Sequence, residues 1–179
     1  MIAIESERIL LRQWRSTDAE PFAILNADAR VMEFFPSTRS RQESDAIIDT
    51  IEKRIDQHGF GFWAAELKAS ETFIGFIGLN VPGYALPFSP CVEIGWRLAY
   101  EYWGQGYAAE GACAALAFGF KKMDLAEIVS FSTVRNFRSR RVMEKIGMVH
   151  DMAGDFDHPS LPANHPLIRH VLYRKTKHT

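Results

Sequence analysis

From Arg8 to Trp14 the chain has the two-residue rhythm of a strand, with Ile9 and Leu11 alternating with Leu10 and Arg12. The rhythm then lengthens. Thr17 and Glu20 have capping-box spacing and predict a helix start, with Pro21 tolerated in its first turn. Ser40 and Glu43 repeat that signature ahead of Ile47, Ile48, Ile51 and Ile55, which form one helical stripe ended by Gly59. Three strand candidates follow at 62–67, 73–81 and 92–98. Ser70-Glu71 makes a short turn between the first two, and Pro82-Gly83, Pro87 and Pro90 mark a longer loop before the third. Next come a helix over 108–123, a strand over 127–132, a helix over 136–146 stopped by Gly147, and a closing strand over 170–174. The order β-α-α-β-β-β-α-β-α-β is an α+β or mixed arrangement. A helix joining 92–98 to 127–132 acts as a crossover, so those two strands are expected to pair in parallel.

The length of 179 residues suits one domain over 1–179. Hydrophobic residues at 47% and charged residues at 24% exclude disordered and low-complexity classes. A formal net charge of -1 gives no global field to collect nucleic acid or an acidic membrane. Cys91 and Cys113 stand far apart in apolar stretches, which suits reduced thiols in a cytoplasm better than a disulfide framework or zinc ribbon. Glu5, Glu7 and Arg8 leave no apolar signal core, and no apolar run approaches the roughly 20 residues of a bilayer span. A cytoplasmic protein without a membrane segment is expected.

The most informative segment is Tyr102-Trp103-Gly104-Gln105-Gly106-Tyr107-Ala108-Ala109-Glu110, between a strand end and a helix start. Glycines there permit a sharp turn and let a ligand approach without a Cβ in the way. Exposed N–H groups at the helix start, with the helix dipole behind them, favour a pyrophosphate. The helix is rich in small residues from Ala108 to Gly119, which predicts close packing on a sheet with Leu116, Phe118 and Phe120 filling the gaps. A tight strand-to-helix connection with no ligand fits the same pattern.

Gly104-x-Gly106-x-x-Ala109 also fits a dinucleotide fingerprint. Glu101 to Trp103 intervene after the strand, however, and Asp124 and Glu127 precede the apolar residues of the next strand rather than ending it. The first hundred or so residues are also not built from βαβ units, as a doubly wound sheet requires. A Rossmann-type nicotinamide-dependent oxidoreductase is therefore the second reading.

From Val92 to Met148 the chain resembles the GCN5-related N-acetyltransferase (GNAT) superfamily, and is most similar to its RimJ/RimL branch, which acetylates ribosomal-protein N-termini. The superfamily signature is Gln/Arg-x-x-Gly-x-Gly/Ala. Glu101-Tyr102-Trp103-Gly104-Gln105-Gly106 keeps both glycines and departs at Glu101, which leaves a cradle of backbone N–H groups intact. The wording from Trp103 to Glu110 is typical of the named branch. A second block, Asn136 to Met148, resembles the family's Asn-x-x-Ser…Glu-Lys-x-Gly-Phe/Met segment. The resemblance implies an acyl-CoA N-acyltransferase fold, with a mostly antiparallel central sheet, a splayed parallel pair and flanking helices. It implies acetyl-CoA as co-substrate, with its pyrophosphate at Trp103, Gly104, Gln105, Gly106, Tyr107 and Ala108. The pantetheine would lie between 92–98 and 127–132, along Trp96, Arg97 and Leu98. Asn136 and Ser139 would contact the cofactor arm, although Asn136 is also an ideal N-cap and Ser139 could face solvent. Among Arg135, Arg138, Arg140, Arg141 and Lys145, some would meet the 3′-phosphate and most read as a solvated helix face.

Acetyl transfer to an amine needs a neutral amine, a stabilised thioester oxygen and a screened or protonated thiolate. A lysine amine titrates near 10.4 and an α-amine near 7.7–8.0, so a base matters most for the former. A backbone N–H around Trp96 to Leu98, where the family bulges its central strand, would serve the oxygen. Glu93 is the candidate base. Alternation puts Glu93, Gly95 and Arg97 on one face, with Gly95 leaving room for substrate or water; ordinary outward polar positions read the same way. Many relatives use a tyrosine as the acid, but that position here is Met143, and Ser139 takes its place by analogy with the RimL-like branch. Direct attack by the amine needs no nucleophile, so Cys91 and Cys113 are expected to pack as small apolar groups. Asp155-Phe156-Asp157-His158, with His165 and His170, match no standard zinc spacing, and no metal is expected. That loop reads as surface, with shaping of the acceptor site as its functional alternative; Phe34-Phe35 read as core by default, with walling of the same cleft as their alternative.

The sequence thus supports an N-acetyltransferase passing acetyl from acetyl-CoA to an amine, either a ribosomal or other protein N-terminus or a small amine such as an antibiotic or polyamine. It would work as a monomer or homodimer without nucleic acid or membrane. A non-catalytic CoA-binding module is the remaining alternative beside the oxidoreductase.

Overall fold

The computed structural model describes residues 3–178. A nine-stranded sheet forms the centre, in the order β1-β2-β3-β4-β5-β6-β9-β7, with β8 also paired to β9. The strands are β1 (Ile4–Glu5), β2 (Ile9–Arg12), β3 (Phe62–Leu67), β4 (Thr72–Asn80), β5 (Glu93–Leu98), β6 (Glu127–Thr133), β7 (Val149–His150), β8 (Phe156–Asp157) and β9 (Arg169–Thr176). The helices are α1 (Ala19–Ala27), α2 (Arg41–His58), α3 (Tyr107–Lys121) and α4 (Phe137–Lys145). Neighbouring strands pair antiparallel throughout, except β5 with β6. This is the mixed α/β arrangement expected, and it excludes the doubly wound parallel sheet of the oxidoreductase reading.

Local signals explain much of it. The Ser40 Oγ accepts the Glu43 N–H at 3.2 Å, and the Glu43 carboxylate accepts the Ser40 N–H at 2.7 Å. This reciprocal cap opens α2, and Gly59 closes it at φ 74. Ile48, Ile51 and Ile55 are buried along its inner stripe. The small residues of α3 bring it hard against the sheet. A Cβ at Gly111 would meet Ile77 Cδ1 at 2.5 Å, and one at Gly119 would meet Ile128 Cδ1 at 2.7 Å. Phe118 stands edge-on to the fully buried Trp63 at 5.3 Å.

The start of α1 differs from expectation. Thr17 caps nothing; Ser16–Asp18 form a short 3-10 turn, and the Asp18 carboxylate accepts the Arg15 N–H at 2.8 Å. Asp18 is drawn inward because Arg12 bonds it at 2.7 and 2.9 Å while donating Nε to Glu66 at 2.7 Å. This tertiary ion cluster overrides the local capping pattern. Strands β1, β7 and β8, each two residues long, show no periodicity in the sequence.

What positions the site is the divergence of β5 from β6. They share a single residue pair, Glu93 with Val129, supported by Val129 N–H to Val92 O at 2.9 Å and Ser130 Oγ–H to Ile94 O at 3.0 Å. Past that point β5 stays paired with β4 and β6 with β9, leaving a wedge. The expected bulge in β5 is absent, because its register with β4 runs unshifted from Gly75 with Leu98 to Asn80 with Glu93. The register shift lies one strand away, between β3 and β4 at Ala65/Glu66. Among the described residues, no helix is long and apolar enough to cross a membrane.

Candidate active site

The wedge opens into a cavity of about 820 Å³ lined by β5, β6, the glycine turn, α4, the α1–α2 loop and the 158–170 loop. Val92 and Ile94 offer their carbonyls to β6. By strand alternation the main-chain groups of Trp96 and Leu98 face the same way, into the gap. The Leu98 carbonyl accepts the Trp103 indole N–H at 2.8 Å, which fixes the start of the turn.

Gly104 at φ 75 and Gly106 at φ 86 take the left-handed backbone that glycine accommodates without strain. A Cβ at Gly104 would meet nothing within 4 Å, so the space above it is open. The N–H groups of Gly104, Gln105, Gly106, Tyr107, Ala108 and Ala109 donate to no acceptor among the described residues. The intrahelical ladder resumes with Glu110 N–H to Gly106 O at 3.0 Å. Glu110 anchors this turn from below: its Oε1 accepts the Arg8 N–H and the Ser6 Oγ–H, both at 2.7 Å, and its Oε2 pairs with the Arg8 guanidinium. Those contacts hold its carboxyl below the usual range despite partial burial. Gln105 points away, donating its side chain to Glu101 O at 2.8 Å.

Asn136 caps α4, its Oδ1 accepting the Ser139 N–H at 3.1 Å while Nδ2 donates to Ser132 Oγ at 3.0 Å. Asn136 and Ser139 both line the cavity, and the Ser139 hydroxyl has no partner among the described residues. The cations of α4 divide. Arg140 turns inward to Val134 O and Tyr173 Oη, and Arg138 pairs with Glu33. Arg141 and Lys145 line the cavity with no acidic partner among the described residues. Met143, at 1% exposure, is core and has no proton to give.

On the opposite face of β5, Glu93 accepts the Asn80 Nδ2–H at 2.6 Å, and Arg54 Nη1 donates to Asn80 Oδ1 at 2.8 Å. Burial raises the Glu93 carboxyl to about 7, with Asn80 and Arg54 opposing. The room expected above Gly95 is taken by Phe62, whose ring a Cβ there would meet at 3.1 Å. Arg97 does not extend its side chain toward the glycine turn. Its Nη1 donates to Asn26 Oδ1 at 2.7 Å, and its guanidinium lies over the Phe35 ring at 4.3 Å and near Phe76 at 5.3 Å. Burial, with Arg39 adding to it, lowers Arg97 to about 10.

Two segments whose default readings are core and surface wall the cavity, as their alternative readings allow. Phe34 and Phe35 line it, with Phe35 38% exposed, because this part of the α1–α2 loop covers the wedge, whereas Val31 and Met32 just before it pack into the core. The loop after β8 contributes His158, Ser160, Leu161, Leu167 and His170. His158 Nε2 meets Tyr84 Oη at 3.1 Å, and its ring lies 4.9 Å from that of His170. Burial lowers the pKa of both imidazoles. Asp155 is spent on structure, accepting from His150 at 2.8 Å and Leu172 N–H at 3.0 Å. No cluster suited to a metal ion exists among the described residues. Cys113 is exposed rather than packed; Cys91 is half-buried, and burial pushes its thiol up to about 11, which suits no thiolate nucleophile.

Residues 8–149 match the model of the acetyltransferase (GNAT) domain. An uncharacterised N-acetyltransferase of Bacillus subtilis (strain 168), YnaD, is 30% identical over 145 residues, covering 81% of this chain and 81% of its own. The crystal structure of a GNAT-family acetyltransferase from Bacillus anthracis superposes with a TM-score of 0.81 at 26% identity, covering 99% of this chain and 100% of that one. A ribosomal-protein-S5-alanine acetyltransferase from Vibrio fischeri shares the fold at a TM-score of 0.74 and 20% identity, covering 99% and 97%. With the family match lying across the wedge, the glycine turn and α4, this chain belongs to the GNAT acetyltransferase family.

Proposed function

We infer that the chain acts over 1–179 as one N-acetyltransferase domain, passing the acetyl group of acetyl-CoA to an amine that attacks directly. The observation that carries this reading is the run of unclaimed N–H donors from Gly104 to Ala109, set beside a wedge of unpaired strand edges. Those donors fit a diphosphate at a helix start, and the open space over Gly104 fits its close approach. Arg141 and Lys145 suit the 3′-phosphate, and Trp96, Leu98, Asn136 and Ser139 the pantetheine arm.

Acetyl-CoA supplies an acyl thioester whose carbonyl the amine attacks and whose thiolate leaves. Glu93, poised near neutrality, takes the amine proton directly or through water. The Trp96 N–H, directed into the wedge, stabilises the carbonyl oxygen as charge develops there. Ser139 donates to the departing sulfur. The branch wording from Trp103 to Glu110 supports a RimJ/RimL-like enzyme, for which a protein N-terminus is the natural acceptor; the half-open cavity of about 820 Å³ has room for a small amine. Two free cysteines are in keeping with a cytoplasmic setting.

A thiol-release screen with acetyl-CoA across peptide N-termini and small amines tests this. Turnover that falls in Glu93→Gln and Ser139→Ala supports the roles assigned. A CoA-induced thermal shift without thiol release for any amine would indicate a CoA-binding module instead.

A further inference from the structure

Arg97 is a cation without an anion. It appears in no ion pair among the described residues, and of its donors only Nη1 is engaged, with the neutral Asn26. Its Nε is buried with no acceptor among the described residues. The charge that acts on it is a second cation, Arg39, which also lines the cavity. A half-buried guanidinium with its Nε shut away from water and no counter-charge beside it is costly unless something supplies one.

The side chain is nonetheless held in place. Asn26, fully buried, donates Nδ2 to the fully buried Ser44 Oγ at 3.1 Å, which aims its Oδ1 at Arg97. Ser44 in turn donates to Ser40 O at 2.9 Å, and Arg39 donates its N–H to Asn26 O at 2.9 Å. With Nη1 committed to Asn26 and Nε buried, Nη2 is the donor left for a ligand in the cavity, and a carboxylate oxygen suits it in charge and hydrogen bonding. Phe35 and Phe76 stack near the guanidinium, and Phe62 occupies the stretch between Arg97 and Glu93. The two side chains leave the same face of β5 four residues apart, about 13 Å along the strand.

We propose that the acetyl acceptor is a small amine that also bears a carboxylate, with the acid seated on Arg97, an apolar body against Phe35, Phe62 and Phe76, and the amine directed toward Glu93. This names the acceptor class of the site and rests on the acetyltransferase reading above. An amine lacking the acid would leave Arg97 Nη2 unpaired. A polyamine would add positive charge beside Arg97 and Arg39, so this face selects against it.

The test pairs acids with their amides. Acids that carry the amine across an aromatic ring, 4-(aminomethyl)phenylacetate and 3-[4-(aminomethyl)phenyl]propionate, and the corresponding primary carboxamides are compared by thiol release with acetyl-CoA, and kcat/KM is corrected for the fraction of neutral amine. The carboxylates should be favoured by about 10- to 100-fold, and Arg97→Gln should collapse the ratio toward one, with Arg97→Lys between. In parallel, 3-phenylpropionate and 3-phenylpropionamide are titrated calorimetrically into CoA-saturated protein, a readout that needs no turnover. The acid should bind at least tenfold more tightly. Equal or tighter binding of the amide, or a ratio that Arg97→Gln leaves unchanged in folded protein, overturns the proposal. Binding of the acid to protein that does not respond to CoA would retain the carboxylate site while rejecting the acetyltransferase reading, so the two failures are separable.

Discussion

Asn80 Nδ2 lies 2.6 Å from Glu93 Oε1, and this bond is the principal hydrogen-bonding restraint on a carboxyl that burial raises to about 7. The Arg54–Asn80–Glu93 chain therefore sets where Glu93 loses its proton, and with it the pH at which a neutral amine can be formed. If Glu93 is the base, kcat/KM corrected for the ionisation of the free amine rises as pH increases through about 7 and levels above it. Glu93→Gln should flatten that rise and lower kcat by about 100-fold at pH 8, as measured by thiol release. Asn80→Leu removes the bond that opposes protonation, so the midpoint should move to higher pH with the limiting rate retained more fully than in Glu93→Gln.

The same shift predicts a stability effect of definite sign. The carboxyl ionises near 4.5 in the unfolded chain and near 7 in the folded one, so the folded state holds more protons between those values. Stability contributed by Glu93 must then fall as pH rises through that window and stay low above it. Glu93→Gln, which keeps an acceptor for Asn80 and removes the charge, should raise Tm relative to the parent at pH 8. The difference should shrink toward pH 5 in thermal scans at constant ionic strength.

Arg12 makes a structural prediction of the opposite kind. It joins Asp18 and Glu66, whose side chains are 2% and 5% exposed. Arg12→Met would leave two buried carboxylates with only Arg15 to serve Glu66. Removing one member of a buried ion cluster costs about 3–5 kcal/mol, which a urea titration would read as a lower midpoint at unchanged slope.

Which parts were legible in the sequence follows from the range of the interactions. The α2 cap and its Gly59 stop are encoded within a few residues of one another and could be read directly. The closeness of α3 to the sheet was legible in its small residues, because only short side chains permit it. The α1 start was not, since Asp18 is claimed by Glu66-bound Arg12 across the sheet. The partners that tune the acceptor face were equally hidden. Asn80 stands 13 residues from Glu93, Arg54 26 from Asn80, and Asn26 71 from Arg97, and no local pattern links any of these pairs. Glu93 itself was legible only as a face assignment, and Phe34-Phe35 looked like core because the fold, not the residues, decides that their loop roofs a cavity.

Gly104 separates folding from binding. Its φ of 75 makes any Cβ unfavourable, by roughly 1–2 kcal/mol for the left-handed conformation, yet beyond Gly104 and its chain neighbours no described heavy atom lies within 4 Å of where that Cβ would sit. Gly104→Ala should thus lower stability only by about that amount, while CoA affinity falls more than tenfold because the methyl group enters the cradle. Gly104→Asn, which tolerates this backbone better, should recover the stability and not the affinity. Calorimetric titration with CoA beside a thermal melt distinguishes the two effects.

Arg141 and Lys145 sit one turn apart on α4 at the cavity wall, free of acidic partners among the described residues, whereas Arg138 and Arg140 are engaged by Glu33 and by Val134 and Tyr173. If the free pair receives the 3′-phosphate, its contribution should be confined to ligands that carry that group. The parent should bind CoA more tightly than 3′-dephospho-CoA by about tenfold or more, as expected for charge-assisted hydrogen bonds to a phosphate. The double variant Arg141→Ala/Lys145→Ala should bind both with the affinity the parent shows for dephospho-CoA, and raising salt should narrow the parent's preference. Arg138→Ala serves as the comparison: its cation is already paired with Glu33, so the ratio of the two affinities should stay near that of the parent. Should Arg138→Ala erase the preference while the double variant keeps it, the phosphate lies at the other edge of α4, beside Trp103.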